Sequence, residues 1–288
     1  MRAAFFGLAL TILALGLAAT ATGGPSTATA VPGCAKGSLN LLEEGKLSLA
    51  TDNPAFPPWW GGAAKKPWEV SNPASGKGYE SAVAYAVAKQ LGFSKGQVTW
   101  SAVPFNNSYR PGKKPFDFYM AQVSYLPERA KNVSFSNSYY FVNQAVVANA
   151  DTPISRVTTV AGLRPYKLGA QVGTTSYNYI QNVIRPTQSA AVYDSNNDAI
   201  SALNAGQIDG IVVDLPTAFF VVAVQLDNGT IVGKLPQRGP REQFGMVFQK
   251  GNPLVKCVNR ALNRLWTNGT IKGLQKKYLA QAGAPDLR

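Results

Sequence analysis

Lys167-Leu168-Gly169-Ala170-Gln171, then Gly173-Thr174-Thr175-Ser176, and further on Gly206-Gln207-Ile208-Asp209-Gly210-Ile211-Val212-Val213-Asp214 decide the fold. The first run reads as a short strand. The second opens a helix. Asp198 to Ala205 reads as a helix that Gly206 terminates. Ile208 to Val213 is a β-branched strand ending at Asp214, and Pro216 to Leu226 is an apolar helix. Strand and helix therefore alternate, which implies α/β architecture with mostly parallel sheets.

The alternation extends in both directions. Upstream, Leu47 to Thr51 reads as the first strand and residues 57–78 as a long Pro-, Gly- and Trp-rich loop. Glu80 to Leu91 is a helix with Val83, Val87 and Leu91 on one face, and Gln97 to Val103 is a strand. Phe118 to Ser124 is strand-like. Downstream, Phe244 to Gln249 is a strand. Asn252-Pro253 supplies a cap and a first-turn proline for a helix carrying Leu254, Val258, Leu262 and Leu265. A last helix runs from Thr270 to Leu279.

Composition removes most enzyme templates. The chain has 288 residues and no histidine, which excludes Ser-His and Cys-His catalysis and histidine metal ligands. Two cysteines cannot build a four-cysteine metal site. No cofactor or metal is expected. The formal charge is +13, but the cations are scattered, with Lys65-Lys66, Lys113-Lys114 and Lys276-Lys277 the densest spots. A nucleic-acid footprint should cluster, so no nucleic-acid partner is expected.

The N-terminus sets the compartment. Arg2 precedes an apolar run from Ala3 to Ala19, followed by small residues with cleavage motifs at Ala19-Thr20-Ala21 and Ala28-Thr29-Ala30. Residues 1–30 read as a signal peptide and tether, cut after Ala21 or Ala30, and residues 22–37 as a polar tether. Cleavage removes one positive charge and leaves +12. The mature protein is expected outside the cytoplasm, in a periplasm or at the outer face of the cell membrane. Export permits a Cys34–Cys257 disulfide. The alternative is a lipid on Cys34, because Val31-Pro32-Gly33-Cys34 loosely matches a lipidation site.

In open α/β sheets ligands bind beyond the carboxyl ends of strands. Asp214, Gly173 to Ser176, Asp52, Phe56 and Arg129 fall at such positions. They offer a carboxylate for an ammonium, and an arginine fork and a helix N-terminus for a carboxylate. A zwitterionic amino acid fits that set.

The run Phe116-Asp117-Phe118-Tyr119-Met120-Ala121-Gln122-Val123-Ser124-Tyr125-Leu126-Pro127-Glu128-Arg129, continued by Asn132 to Ser136 and Tyr139-Tyr140, resembles the polar amino-acid-binding proteins of ABC importers, the solute-binding family 3. Thr51 to Trp59, Leu168 to Ser176, Gly206 to Asp214 and Asn252 to Leu279 extend the resemblance over about residues 45–280. It implies a bilobed periplasmic-binding-protein-like (type II) fold, two α/β lobes joined by two hinge strands. One lobe would comprise 36–143 and 244–288, the other 144–243, with hinges near Gln144–Ala148 and Phe244–Phe248. A free amino acid would bind between the lobes, and the closed form, a monomer, would dock on the transmembrane subunits of an ABC permease.

Carried over residue by residue, Arg129 would hold the α-carboxylate, helped by backbone N–H groups at Thr174 and Thr175. Asp214 would hold the α-ammonium, assisted by Ser124 and the backbone near Gln122. Phe56 and Phe105 would sandwich the side chain, and Asp52 would lie near its far end. Departures are Ala121, Gln122, Leu126-Pro127 and an enlarged loop with Trp59-Trp60; Glu80 reads as a helix-start residue. The competing reading is an exported dehydratase-like enzyme of the same fold acting on a small carboxylate.

Overall fold

The computed structural model describes residues 31–279 and 283–288; the leader and its cleavage sites lie outside the described residues. Two five-stranded sheets organise the chain. Strands β1 (Leu47–Thr51), β2 (Val98–Ala102), β3 (Phe118–Tyr119) and β4 (Val133–Phe135) belong to the first. The short β5 (Tyr140–Phe141) leads out of it. The second sheet holds β6 (Gln144–Asn149), β7 (Leu168–Gln171), β8 (Ala191–Tyr193), β9 (Gly210–Asp214) and β10 (Gly229–Lys234). The chain returns through β11 (Gln243–Phe244), and β12 (Val247–Gln249) inserts into the first sheet.

Each sheet is mixed for the same topological reason. In the first, β1 runs parallel to β2 and β3, while β12 is antiparallel to β3 and β4. In the second, β7 runs parallel to β8 and β9, while β6 is antiparallel to β9 and β10. A strand arriving from the other lobe enters at the cleft end, and so opposes strands that point toward the cleft.

Between the sheets, β5 and β11 pair antiparallel as a two-stranded ribbon. This ribbon, not Gln144–Ala148, carries the crossing. Gln144 to Asn149 lies wholly inside the second sheet, and the expected strand Phe244–Gln249 is broken at Gly245-Met246 into β11 and β12. Two residue pairs hold less than a full sheet, which makes the ribbon the natural place to bend.

Buried side chains cover both faces of each sheet. Leu47, Leu49, Val83, Val87, Met120, Phe248 and Leu262 form the larger core of the first lobe. Helix Leu254–Thr267 presents Leu254, Val258, Ala261, Leu262 and Leu265 to it, the period of an amphipathic helix. Val146, Val212 and Leu168 pack one face of the second sheet, and Val147, Ile211 and Leu203 the other.

Three segments bear on the cleft or the frame. The loop after β1 contains only the short 3-10 turn Pro73–Ser75, yet Trp59 and Trp60 inside it are buried. It returns beneath Gly78 (φ 87°), where a Cβ would come within 2.4 Å of the Trp60 backbone, so only glycine fits. Residues 31–37 depart from the expected tether. Val31 and Cys34 are buried in the first core, and Cys34 is disulfide-bonded to Cys257 with Cα atoms 5.6 Å apart. The C-terminus departs too. Lys234 N–H donates to Pro285 O at 2.7 Å and Leu287 N–H to Lys234 O at 2.9 Å, with Leu287 buried in the second core. The end of 244–288 thus lies on the second lobe, because Leu287 finds an apolar seat beside Gly233 there.

Candidate functional site

A cavity of about 320 Å³ opens between the lobes. Among the described residues lining it, Arg129 is the one base and Asp52, Asp194 and Asp214 are the acids. Every side chain expected at the site lines it: Phe56, Phe105, Gln122, Ser124, Thr174 and Thr175 with the four just named, Asp194 excepted.

Arg129 follows Pro127 in the helix Pro127–Asn132 and is 6% exposed. Nη1 donates to Ser124 O and Nη2 to Gly173 O, each at 2.7 Å. One carbonyl comes from each lobe. The guanidinium also stands 4.5 Å from the Tyr109 ring centre and 5.4 Å from that of Phe105. The ion pairs among the described residues are Lys46–Glu43 and Lys234–Asp286, so Arg129 has no carboxylate partner there. Burial lowers its pKa, against the pull of Tyr109 and Glu242; a guanidinium remains charged nonetheless. The result is a fixed, desolvated cation aimed at a cleft.

The opposite wall is the turn after β7. Gly173 (φ 73°) packs so closely that a Cβ would meet Asn106 Oδ1 at 2.5 Å and Tyr109 Oη at 2.6 Å. Thr174 caps the helix Thr175–Tyr179 by accepting from Tyr177 N–H at 3.1 Å. That satisfies the Tyr177 N–H and leaves those of Thr175 and Ser176 to face an anion.

Asp214 ends β9 and stands at the N-cap position of the helix Leu215–Phe220, with its carboxylate making no capping hydrogen bond. Gln144 Nε2 donates to its Oδ1 at 2.8 Å. Burial, and then the nearby carboxylates of Glu242 and Glu80, push the Asp214 pKa well up, against the Gln144 hydrogen bond. An entering cation would relieve that cost. Asp52 leaves β1; burial raises its pKa to about 6, opposed by backbone N–H groups of Asn53 and Phe105.

Gln122 takes a left-handed backbone (φ 51°) because Glu80 holds it. Its N–H donates to Glu80 Oε1 at 2.8 Å, its Nε2 to Glu80 Oε2, and the Tyr139 hydroxyl also donates to Oε1. Glu80 is thus more than a helix-start residue. It is fully buried, and desolvation raises its pKa to about 7 against those three donors. The two phenylalanines have unequal surroundings. Phe105 packs on Tyr109 at 5.6 Å and on Arg129, while Phe56 faces Phe220 at 6.4 Å across the cleft.

Four residues escaped sequence reading. Gln144 looked like a hinge strand, and Glu242 sits in the polar run Arg238 to Gln243, which reads as a turn. Phe220 looked like one apolar position of a buried helix. Asp194 lies in the polar run Asp194 to Asp198, which reads as a helix start. Only Phe220 carried a signal, an aromatic six residues beyond Asp214.

Residues 61–281 match the family model of the bacterial extracellular solute-binding proteins, family 3. The chain belongs to that family. It is an extracytoplasmic binding protein of an amino-acid ABC importer, built on the bilobed fold. It is 28% identical over 211 residues to the ABC transporter arginine-binding protein 1 of Escherichia coli, covering 71% of this chain and 82% of that one. It is 27% identical over 205 residues to the L-cystine-binding protein TcyJ of the same organism, covering 70% and 73%. Among solved structures it is similar to an ancestral arginine-binding protein bound to arginine, with 25% identity, a TM-score of 0.66, and coverage of 82% of this chain and 99% of that one. These relatives are transport proteins, which sets the dehydratase reading aside. Among the described residues no helix is long and apolar enough to cross a membrane.

Proposed function

We propose that this family 3 protein captures a free L-amino acid with a cationic side chain, arginine foremost, and delivers it as a monomer to the membrane subunits of an ABC importer, from a periplasm or the outer face of the membrane. Arg129 and the N–H groups of Thr174 and Thr175 hold the α-carboxylate. Asp214 holds the α-ammonium, with Ser124 and Gln122 beside it. Asp52 pairs with the side-chain cation, while Phe56 and Phe105 flank the apolar stem.

One observation carries the choice of ligand: three carboxylates and one arginine line the cleft. A neutral amino acid cancels Arg129 and one carboxylate and leaves the half-buried Asp52 without a cation, whereas Asp194 is exposed and stays hydrated. A cationic side chain supplies a second positive group. The names of the relatives, arginine-binding in several cases, point the same way.

The test is calorimetric titration of refolded, ligand-stripped protein with arginine, lysine, glutamine and glutamate. Tight binding of arginine or lysine, with weak or absent binding of glutamate, is the expected outcome. A preference for glutamate or for an apolar amino acid would refute the assignment of Asp52.

A further inference from the structure

Glu242 closes the polar run Arg238-Gly239-Pro240-Arg241-Glu242 and immediately precedes β11. Its Oε1 accepts two hydroxyl hydrogen bonds of 2.6 Å, from Ser124 Oγ and from Thr175 Oγ1. Ser124 lies in the segment that carries Arg129, in the first lobe. Thr175 opens the helix Thr175–Tyr179, in the second. Gln144 Nε2 lies 3.2 and 3.3 Å from the two Glu242 oxygens and 2.8 Å from Asp214 Oδ1. Ser176 Oγ donates to Gln144 Oε1 at 2.6 Å, fixing the orientation of that amide. The Glu242 backbone is itself part of the crossing: Val142 N–H donates to its carbonyl at 3.1 Å.

One carboxylate thus contacts both lobes and, through Gln144, the acid assigned to the ammonium. It does not line the cavity, so a ligand would leave it in place. We propose that Glu242 is a positioning residue that couples lobe closure to assembly of the amino-acid site. The inference rests on the reading that this cleft binds an amino acid.

Ser124 and Thr175 travel with different lobes, so bending at the β5–β11 ribbon breaks at least one hydroxyl–carboxylate bond. Charge-assisted bonds of this kind are strong. A contact present only in the closed form shifts the equilibrium toward it, and apparent affinity scales with the closed fraction. The effect falls on the part of the ligand that all amino acids share, so it is independent of the side chain.

Glu242→Gln keeps the size of the side chain but turns one acceptor oxygen into a donor. That donor then meets the Nε2 of Gln144 or one of the hydroxyls. The experiment titrates arginine and lysine into wild type, Glu242→Gln, Thr175→Val and the double variant. Alongside it, the distance between spin labels on the two lobes is measured without ligand. Glu242→Gln should weaken both ligands by the same factor, about tenfold, the weight of one charge-assisted hydrogen bond, and lengthen the interlobe distance. The double variant should lose little more than the worse single one, because both changes remove the same contact. Unchanged affinity and distance in Glu242→Gln, or multiplicative losses in the double variant, would overturn the inference. If Glu242→Gln fails to fold, Thr175→Val decides alone: a longer distance and weaker binding support the coupling, and no change overturns it. A wild-type protein that binds no amino acid overturns the underlying reading as well; normal wild-type binding with an unaffected variant overturns this inference only.

Discussion

The indole Nε1 of Trp59 donates to Thr217 Oγ1 at 2.9 Å, joining residues 158 positions apart that sit on opposite walls of the cleft. Trp59 is otherwise boxed in by Tyr79, Tyr140 and Phe244, with ring centres 6.0, 5.3 and 5.6 Å away. It therefore touches the crossing ribbon and the far lobe together. A hydrogen bond made only when the walls meet favours the closed form by about 0.5–1.5 kcal/mol. Trp59→Phe should weaken ligand binding about twofold to tenfold and remove most of the ligand-induced change in tryptophan emission. An undiminished emission change in the variant would place the signal on other indoles and Trp59 outside the closure step.

Arg129 shows how a buried cation can be stable without a carboxylate. Two carbonyls and the Tyr109 ring hold it, and the remaining guanidinium donors are left for an incoming anion. Arg129→Ala should reduce the affinity for every amino acid by about 2–5 kcal/mol, because it removes one partner of a desolvated charge pair. Arg129→Lys should recover little of it, since an ammonium cannot grip two oxygens in a fork. Calorimetric titration checks both, and near-normal affinity in either variant would relocate the carboxylate site.

Asp52 gives the site a pH signature. Its carboxyl in the unliganded cleft has a pKa of about 6, raised chiefly by burial. A ligand cation needs the charged form, so binding expels a proton wherever the free protein holds one. The Asp52 contribution to arginine affinity should be flat above about pH 7 and fall as pH drops through 6, by up to about tenfold per pH unit. Asp52→Asn should be weaker at neutral pH and lose that part of the slope. A slope identical in the variant would assign the titration to another carboxyl.

The parts of this site that the sequence announced are those whose role is local. Asp214 ends a β-branched strand, Thr174 and Thr175 start a helix, and Arg129 stands at a fixed distance behind Phe118-Tyr119; each can be read within about a dozen residues. Glu242 and Gln144 act through partners such as Ser124 and Asp214, which lie 118 and 70 positions away. No local periodicity encodes such a contact, and a Glu in a Pro- and Gly-containing run reads as a hydrated turn. The resemblance implied two crossing strands, but the same distance limit hid which residues pair in the ribbon, since they are about a hundred positions apart. It also hid the docking of Leu287, a lone apolar residue near the chain end.

Cys34 and Cys257 are 223 positions apart and bonded, which closes nearly the whole described chain into one loop. Closing so long a loop restricts the unfolded ensemble most, and stabilises the fold by about 2–5 kcal/mol in the chain-entropy account. Cys257→Ser should lower the unfolding midpoint accordingly while leaving the ligand preference intact, because the bond lies in the first core and not at the cleft. Mass spectrometry of the unreduced protein should show two hydrogens fewer than the reduced form. A diacylglyceryl mass on Cys34 would overturn the pairing.

The C-terminal tail separates packing from surface charge. Leu287 is 3% exposed in the second core, whereas the Lys234–Asp286 pair at 2.8 Å has side chains 30% and 70% exposed. Exposed pairs contribute at most about 1 kcal/mol, while a buried leucine truncated to alanine costs about 2–5 kcal/mol in a rigid core. The seat of Leu287 beside Gly233 can collapse in part, so about 1–3 kcal/mol is expected for Leu287→Ala. At roughly 2–4 °C per kcal/mol for a chain of this size, the midpoint should fall by about 2–12 °C. Asp286→Asn should move it by about 4 °C or less. If instead the aspartate variant shifts the midpoint and the leucine variant does not, the tail is held by charge, and its apolar seat beside Gly233 contributes nothing.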